Sequence, residues 1–189
     1  MAKRLQAAGV QVAGVGVGTA EEYGWFKDGR YHNNWTGLEF VVSSDWSFLH
    51  QGQSSGAGQI ALLKDVTGKV KFAAVWMRKE TIPETDKPKR LEWEISAKPQ
   101  QRYWQDFKDY KIRPESVQYK TIRGNPAVSA VADYRGMWGE KDPTGPMTEY
   151  MVWICGQNTY VQFFARTAPA DLPNLQTRFD EIIETAVIP

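Results

Sequence analysis

At 189 residues, 42% apolar and 24% charged, the chain has the size and composition of one globular domain with a full core. Its 23 Lys and Arg balance 22 Asp and Glu, which argues against the basic excess of a phosphate-gripping nucleic-acid binder or an anionic-membrane binder. One cysteine, Cys155, excludes an internal disulfide and a multi-cysteine metal site, and the sequence holds no run of about eighteen apolar residues that would span a membrane.

Residues 1–22, rich in Gly, Ala and Val, read as a flexible or irregular leader ahead of a single domain over 23–189. Lys3 and Arg4 before small apolar residues echo an export signal, but Gln6, Gln11 and the glycines dilute it. An exported chain whose native signal was removed and a cytoplasmic chain both stay open. In "WFKDGRY" (25–31) the Asp28-Gly29 pair predicts a hairpin, because glycine tolerates positive φ. "GLEFVVSS" sets Leu38, Phe40 and Val42 against Glu39, Val41 and Ser43, a strand with one buried face. Phe40, Trp46 and Phe48 are expected to build the core edge of that strand and its turn. "QSSGAGQ" (53–59) reads as a loop, and "QIALLKD" and "KVKFAAVWMR" as a hairpin through Thr67-Gly68.

At "PETDKPKR" the period becomes helical. Thr85 or Asp86 can cap, Pro88 suits the first turn, and Leu91, Ile95 and Trp93 give a partial apolar stripe. "KPKR" followed by Glu92 and Glu94 reads as a solvated helix start. Pro99 interrupts, and Arg102–Tyr110 reads as a further helical segment. "SVQYKTIRGNPAVSAVADYRG" returns to strands around Gly124-Asn125-Pro126. After a polar loop at 137–146, "MTEYMVWICG" has two faces that both look covered, with Cys155 expected as a buried, inert thiol. Gly156-Gln157-Asn158 then turns the chain into "TYVQFFART". Beyond Pro169, with Asp171 as cap, Leu172, Leu175, Phe179, Ile182, Ile183 and Ala186 recur at helical spacing, and Arg178, Asp180, Glu181 and Glu184 fall largely on the other side. Strands, helix, strands, helix, joined by hairpins, imply an α+β domain: an antiparallel sheet flanked by helices.

"YHNNWTGLEFVVSSDWSF" resembles the opening of PsbP-like domains, in which a Tyr-x-Asn leads into a Gly-Leu-x-Phe strand and a short turn ends in Trp. "YKTIRGNPAVSAVADY" resembles that family's Gly-x-Pro-Ala hairpin, and "FFARTAPADLPNLQTRFDEIIETAVIP" its last strand and helix. Together these segments span most of residues 31–189. The turn Ser43-Ser44-Asp45-Trp46 lacks the proline that the family often places there, and the leader matches nothing in it. The resemblance implies an α/β/α sandwich. Proteins of this fold include an extrinsic photosystem II subunit, a Ran-binding import factor and bacterial exported proteins of unknown role, so fold implies little about function. No photosynthetic signature is present, and the photosystem role is not carried over.

Catalytic constellations are hard to assemble from these residues. His32 and His50 lie in different contexts, with no Gly-x-Ser-x-Gly elbow and no His-x-x-x-His spacing. "GVGVG" (14–18) has neither a P-loop ending nor dinucleotide spacing. The carboxylate pairs Glu92/Glu94 and Asp180/Glu181 read as solvated helix faces, and Asn34-Trp35-Thr36 fits a glycosylation acceptor that matters only in a eukaryotic secretory setting. No cofactor and no metal is expected. Two candidate binding features stand out. Trp138, with Lys141 and Asp142, sits in the polar loop and either binds or folds back onto the sheet edge. Trp35, beside Tyr31, Asn33 and Asn34, either binds or packs in the core. These features favour a non-enzymatic interaction module, bacterial and exported, that presents loops to an unknown protein partner and to no nucleic acid. The alternative is a carrier of a small apolar or aromatic ligand in a pocket between sheet and helices. An enzyme built from Asp, Glu, Tyr and Arg is the minority reading.

Overall fold

The first hairpin forms at the predicted turn. Asp28 (φ 50°) and Gly29 (φ 76°) both take positive φ, the primed two-residue geometry that matches strand twist. They join β1 (Gly24–Lys27) to β2 (Arg30–Asn33), and β3 (Glu39–Val41) completes a three-stranded antiparallel sheet. The computed structural model describes residues 23–54, 58–96, 107–135 and 145–189. Leu38, Phe40 and Val42 are buried, as their alternation predicts, and so is Trp46, while Phe48 packs half-buried against the same core.

The second sheet consists of β4 (Trp46–Ser54), β5 (Gly58–Asp65), β6 (Val70–Lys79), β7 (Lys111–Ile112), β8 (Gln118–Ile122), β9 (Asn125–Tyr134), β10 (Met147–Cys155) and β11 (Thr159–Thr167). Its order is β4-β5-β6-β11-β10-β9-β7, with β8 also on β9, and every pairing is antiparallel. Every residue of β10 is buried. Strand alternation sends Val152 and Ile154 of β10, with Val161 and Phe163 of β11, to one face. Met151, Trp153 and Cys155, with Tyr160, go to the other.

The helices α1 (Lys87–Ser96) and α2 (Leu172–Thr185) cover opposite faces. Leu91 of α1 joins the Trp153 cluster, whereas Leu175, Phe179, Ile182 and Ile183 of α2 share the Phe163 cluster with Tyr31 and Phe40 of the small sheet. The result is the expected α+β sandwich, with α1 on one side of the large sheet and α2 beside the small sheet on the other.

Several local expectations are corrected. The β8–β9 turn is Arg123-Gly124 (φ 48° and 84°), so Pro126 lies inside β9 opposite Thr121, near the strand's start, where a missing N–H is tolerated. Residues 107–110 form a bridge and a turn, with Asp109 at φ 56°, where a further helix was expected; residues 97–106 lie outside the described part. Asp171 precedes α2 without a side-chain cap bond, because a 3-10 turn over Pro169–Asp171 leads directly into the helix.

The largest departure concerns Arg178, read as outward-facing and found buried. Its Nη2 donates to Asp65 Oδ1 at 2.7 Å, its Nε lies 3.3 Å from the Asp45 carboxylate, and its guanidinium covers the Trp46 ring at 5.0 Å. Burial pushes the Asp65 carboxyl up, but bonds from Arg178, the Val70 amide, and the Thr67 hydroxyl and amide outweigh it. They hold the carboxyl well below the usual range. The clamp ties α2 to the β5–β6 hairpin, with Arg178 supplying the counter-charge for the buried acid.

Arg178→Met is expected to cost about 3 kcal/mol, the scale for breaking a buried ion pair, read as a fall in thermal midpoint of about 6–10 °C. Because the native Asp65 pKa is depressed, its contribution is present above the unfolded carboxylate value near 3.9 and is lost as pH falls through the native value. Melting curves from pH 7 to about pH 3 should therefore fall more steeply for the native chain than for Asp65→Asn. Parallel curves would show that the pair contributes nothing.

Candidate functional site

One end of the large sheet gathers rings and guanidinium groups. On β6, residues two apart share a face, so Trp76 and Arg78 both point to the α1 side, and the antiparallel register sets Tyr160 of β11 opposite Arg78. On α1, Arg90, Trp93 and Glu94 stand at i, i+3 and i+4, neighbours along the helix. The outcome is an alternating series. Arg78 lies 5.4 Å from the Trp76 ring and 5.6 Å from Tyr160, and Arg90 lies 4.6 Å from Tyr160 and 5.1 Å from Trp93. Gly58 makes the first rung possible: a Cβ there would stand 2.6 Å from the Trp76 indole.

Two carboxylates lie beside the guanidinium groups. Glu80 accepts from Arg78 Nε at 2.7 Å and lies 3.5 Å from Arg90 Nη2, which is 3.0 Å from Glu94. Glu94 is buried, as is Lys87, which pairs with Glu84. "KPKRLEWE" is therefore not a solvated helix start: its Lys87, Arg90 and Glu94 turn inward, and it is Trp93, expected on the apolar stripe, that stays 42% exposed. Beneath them, burial pushes the Tyr160 hydroxyl well above its ordinary value, and the nearby Glu94 charge adds to the shift. Burial also raises the Cys155 thiol to about 11, with Arg90 and Lys87 pulling only partly against it.

Trp35 stands at the same end. Asn33 is fully buried; its Oδ1 accepts from the Trp35 and Thr36 amides and from the Thr36 hydroxyl. Its Nδ2 donates to Gln59 Oε1 at 2.6 Å and to the Tyr23 carbonyl at 2.9 Å. The resulting rigid turn leaves the Trp35 ring half-buried with the Lys79 ammonium 6.0 Å from its centre. Lys79 follows Arg78 on β6 and points to the opposite face, so the structure puts Trp35 on the small-sheet side and does not bring it together with the arginine–aromatic series on the α1 side. Trp138, Lys141 and Asp142 lie outside the described residues.

Sequence reasoning missed Arg78, Arg90, Trp93 and Tyr160. The available signal was the 90/93/94 spacing together with an Arg two residues after Trp76. A second buried pair completes this face: the fully buried Glu149 accepts from Arg166 Nε at 2.7 Å and from Tyr110 at 3.1 Å, and the Arg166 guanidinium covers Phe107 at 4.6 Å. Neither cluster sets a nucleophile against a base. Each offers planar cations stacked on rings, worth about 0.5–2 kcal/mol per contact. Among the described residues, no group of three or more His, Cys, Asp or Glu could hold a metal ion.

No protein-family model and no curated protein sequence matches the chain. Solved structures do. The solution structure of cyanobacterial PsbP (CyanoP) from Synechocystis is similar at 13% identity, over 93% of this chain and 98% of that one, with a TM-score of 0.54. A crystal structure from Bacteroides thetaiotaomicron is similar at 10% identity and a TM-score of 0.50; 80% of this chain is covered, but only 45% of that one. The fold is PsbP-like, as the sequence motifs implied, and at such identities the likeness establishes the fold alone.

A thiol raised to about 11 is ionised in only about one molecule in a thousand at pH 8. Ellman's reagent should find no reactive Cys155 in the native protein and one equivalent after guanidinium denaturation. Rapid reaction of the native chain would contradict the buried placement.

Proposed function

We propose that this protein is a non-enzymatic interaction module and that a protein partner docks on the arginine–aromatic end of its sheet. One observation carries the reading: Trp76, Arg78, Arg90 and Trp93 gather rings and cations over the buried Tyr160, at a surface where Trp93 is 42% exposed. Trp, Tyr and Arg are the residues in which binding energy concentrates at protein interfaces. Here Glu80 accepts a hydrogen bond from Arg78, and Glu80 and Glu94 form ion pairs with Arg90 before any partner arrives, so less side-chain entropy is left to lose. Trp35, on the other face, and the loop residues Trp138, Lys141 and Asp142 remain separate candidates for partner binding on sequence grounds.

Packing supports a surface partner over a carrier of a small apolar or aromatic ligand. Trp153, Met151, Phe163 and Phe179 fill the described layers between sheet and helices at 1% exposure or less. A groove of about 200 Å³ between the β8–β9 hairpin and α2 is open, and its polar groups answer one another: Lys120 lies 3.7 Å from Asp180, and Arg123 donates to the Glu184 carbonyl. The reading includes a bacterial, exported setting, suggested by the company this fold keeps. No described helix is long and apolar enough to cross a membrane.

Trp93→Ala should lose a protein that the native chain captures from host extract, with the thermal midpoint lowered by no more than about 4 °C. Identical captured sets from both baits would overturn this docking surface. A collapse of the melting transition would instead assign the ring to folding.

A further inference from the structure

The outer face of the small sheet carries a second, independent surface. Phe26 and Tyr31 turn inward to the core, so Trp25, Lys27, Arg30 and His32 face out. Trp25 is 41% exposed and stacks on His32 with ring centres 5.4 Å apart and planes 17° from parallel. Across the hairpin Lys27 is registered directly opposite Arg30. Like charges directly opposite on paired strands are destabilising, so stability does not account for this choice. Arg30 and His32 both reach Glu39 on β3, at 3.3 and 2.9 Å, whereas Lys27 has no ion pair among the described residues. Asp28 is the exposed turn residue between the two cations. A lysine on an edge strand also guards against unwanted strand pairing, but that duty is met at any outward position and does not explain a cation opposite a cation.

We infer that the Trp25–Lys27–Arg30–His32 face binds an acidic segment of a partner protein. A carboxylate of that segment lies between Lys27 and Arg30, where it relieves their mutual repulsion, and a neighbouring apolar side chain lies on the Trp25 ring. Charge complementarity selects the occupant: the two cations stand opposite each other beside one exposed ring, and among the described strand residues of the outer face the acid, Glu39, is already held by Arg30 and His32. An anionic contact of this kind on an open sheet face is sensitive to salt.

The test titrates the full chain with the peptide Glu-Glu-Phe-Glu-Glu-Phe and follows assigned backbone amides by NMR. Saturable shifts at Trp25, Lys27, Arg30 and His32 that weaken with added salt are expected. Lys27→Glu should weaken binding at least about tenfold while raising the thermal midpoint by about 1–3 °C, since it places opposite charges across the hairpin. Three results overturn the inference: no saturable shift at these amides, a lower midpoint for Lys27→Glu, or a stronger response to oligothymidylate than to the peptide. The last would reassign the face to single-stranded nucleic acid.

Discussion

A strand with no solvent-facing side governs this molecule. All nine residues of β10 are buried, so both faces of the central sheet must be covered, and each cover is drawn from a different part of the chain. α1 supplies one layer; α2 and the small sheet supply the other. The same constraint decides where charge can sit. An acid on β10, Glu149, survives only because Arg166 on the adjacent strand and Tyr110 answer it. The charges at the edges of the layers follow the same rule, Asp65 with Arg178 on one face and Glu80 and Glu94 with Arg90 on the other. Polar groups in this fold are placed by burial first, and the surfaces they create are by-products of that placement.

Much of the fold was readable because it rests on local patterns. Alternation at Leu38, Phe40 and Val42, the Asp28-Gly29 turn and the spacing of Leu175, Phe179 and Ile182 each depend on near neighbours in sequence, and each formed as expected. The site was less readable, because its meaning depends on partners far along the chain. Arg178 looks solvated beside Asp180 and Glu181, and only the arrival of Asp65, 113 residues away, turns it inward. Lys87 and Glu94 were misread for the same reason. A charged residue at helical spacing carries the same signature whether it faces water or a buried counter-charge. Trp93 failed in the opposite sense: an apolar residue near an apolar stripe, left outside it by its position beside Arg90 on the helix.

The two proposed surfaces differ in how they are built. At the sheet end, rings and cations are already interleaved within the chain, and the shape offered to a partner is rigid. On the small sheet, the cations stand together with less internal compensation, and the contact is closer to pure electrostatics. They lie on different elements and are separable by substitution.

Asn33 has a bearing on how the molecule comes apart. Its amide joins the Tyr23 carbonyl, Tyr31 and Gln59, so the small sheet meets its hydrogen-bonding needs only once β5 of the large sheet is in register beside it. A slip of one residue in β2 would turn Asn33 outward and drive His32 into the core. The amide thus proofreads the docking of one sheet on the other. It also couples their melting: the three short strands are no independent subdomain, and they are lost when the large sheet is lost, in one cooperative event.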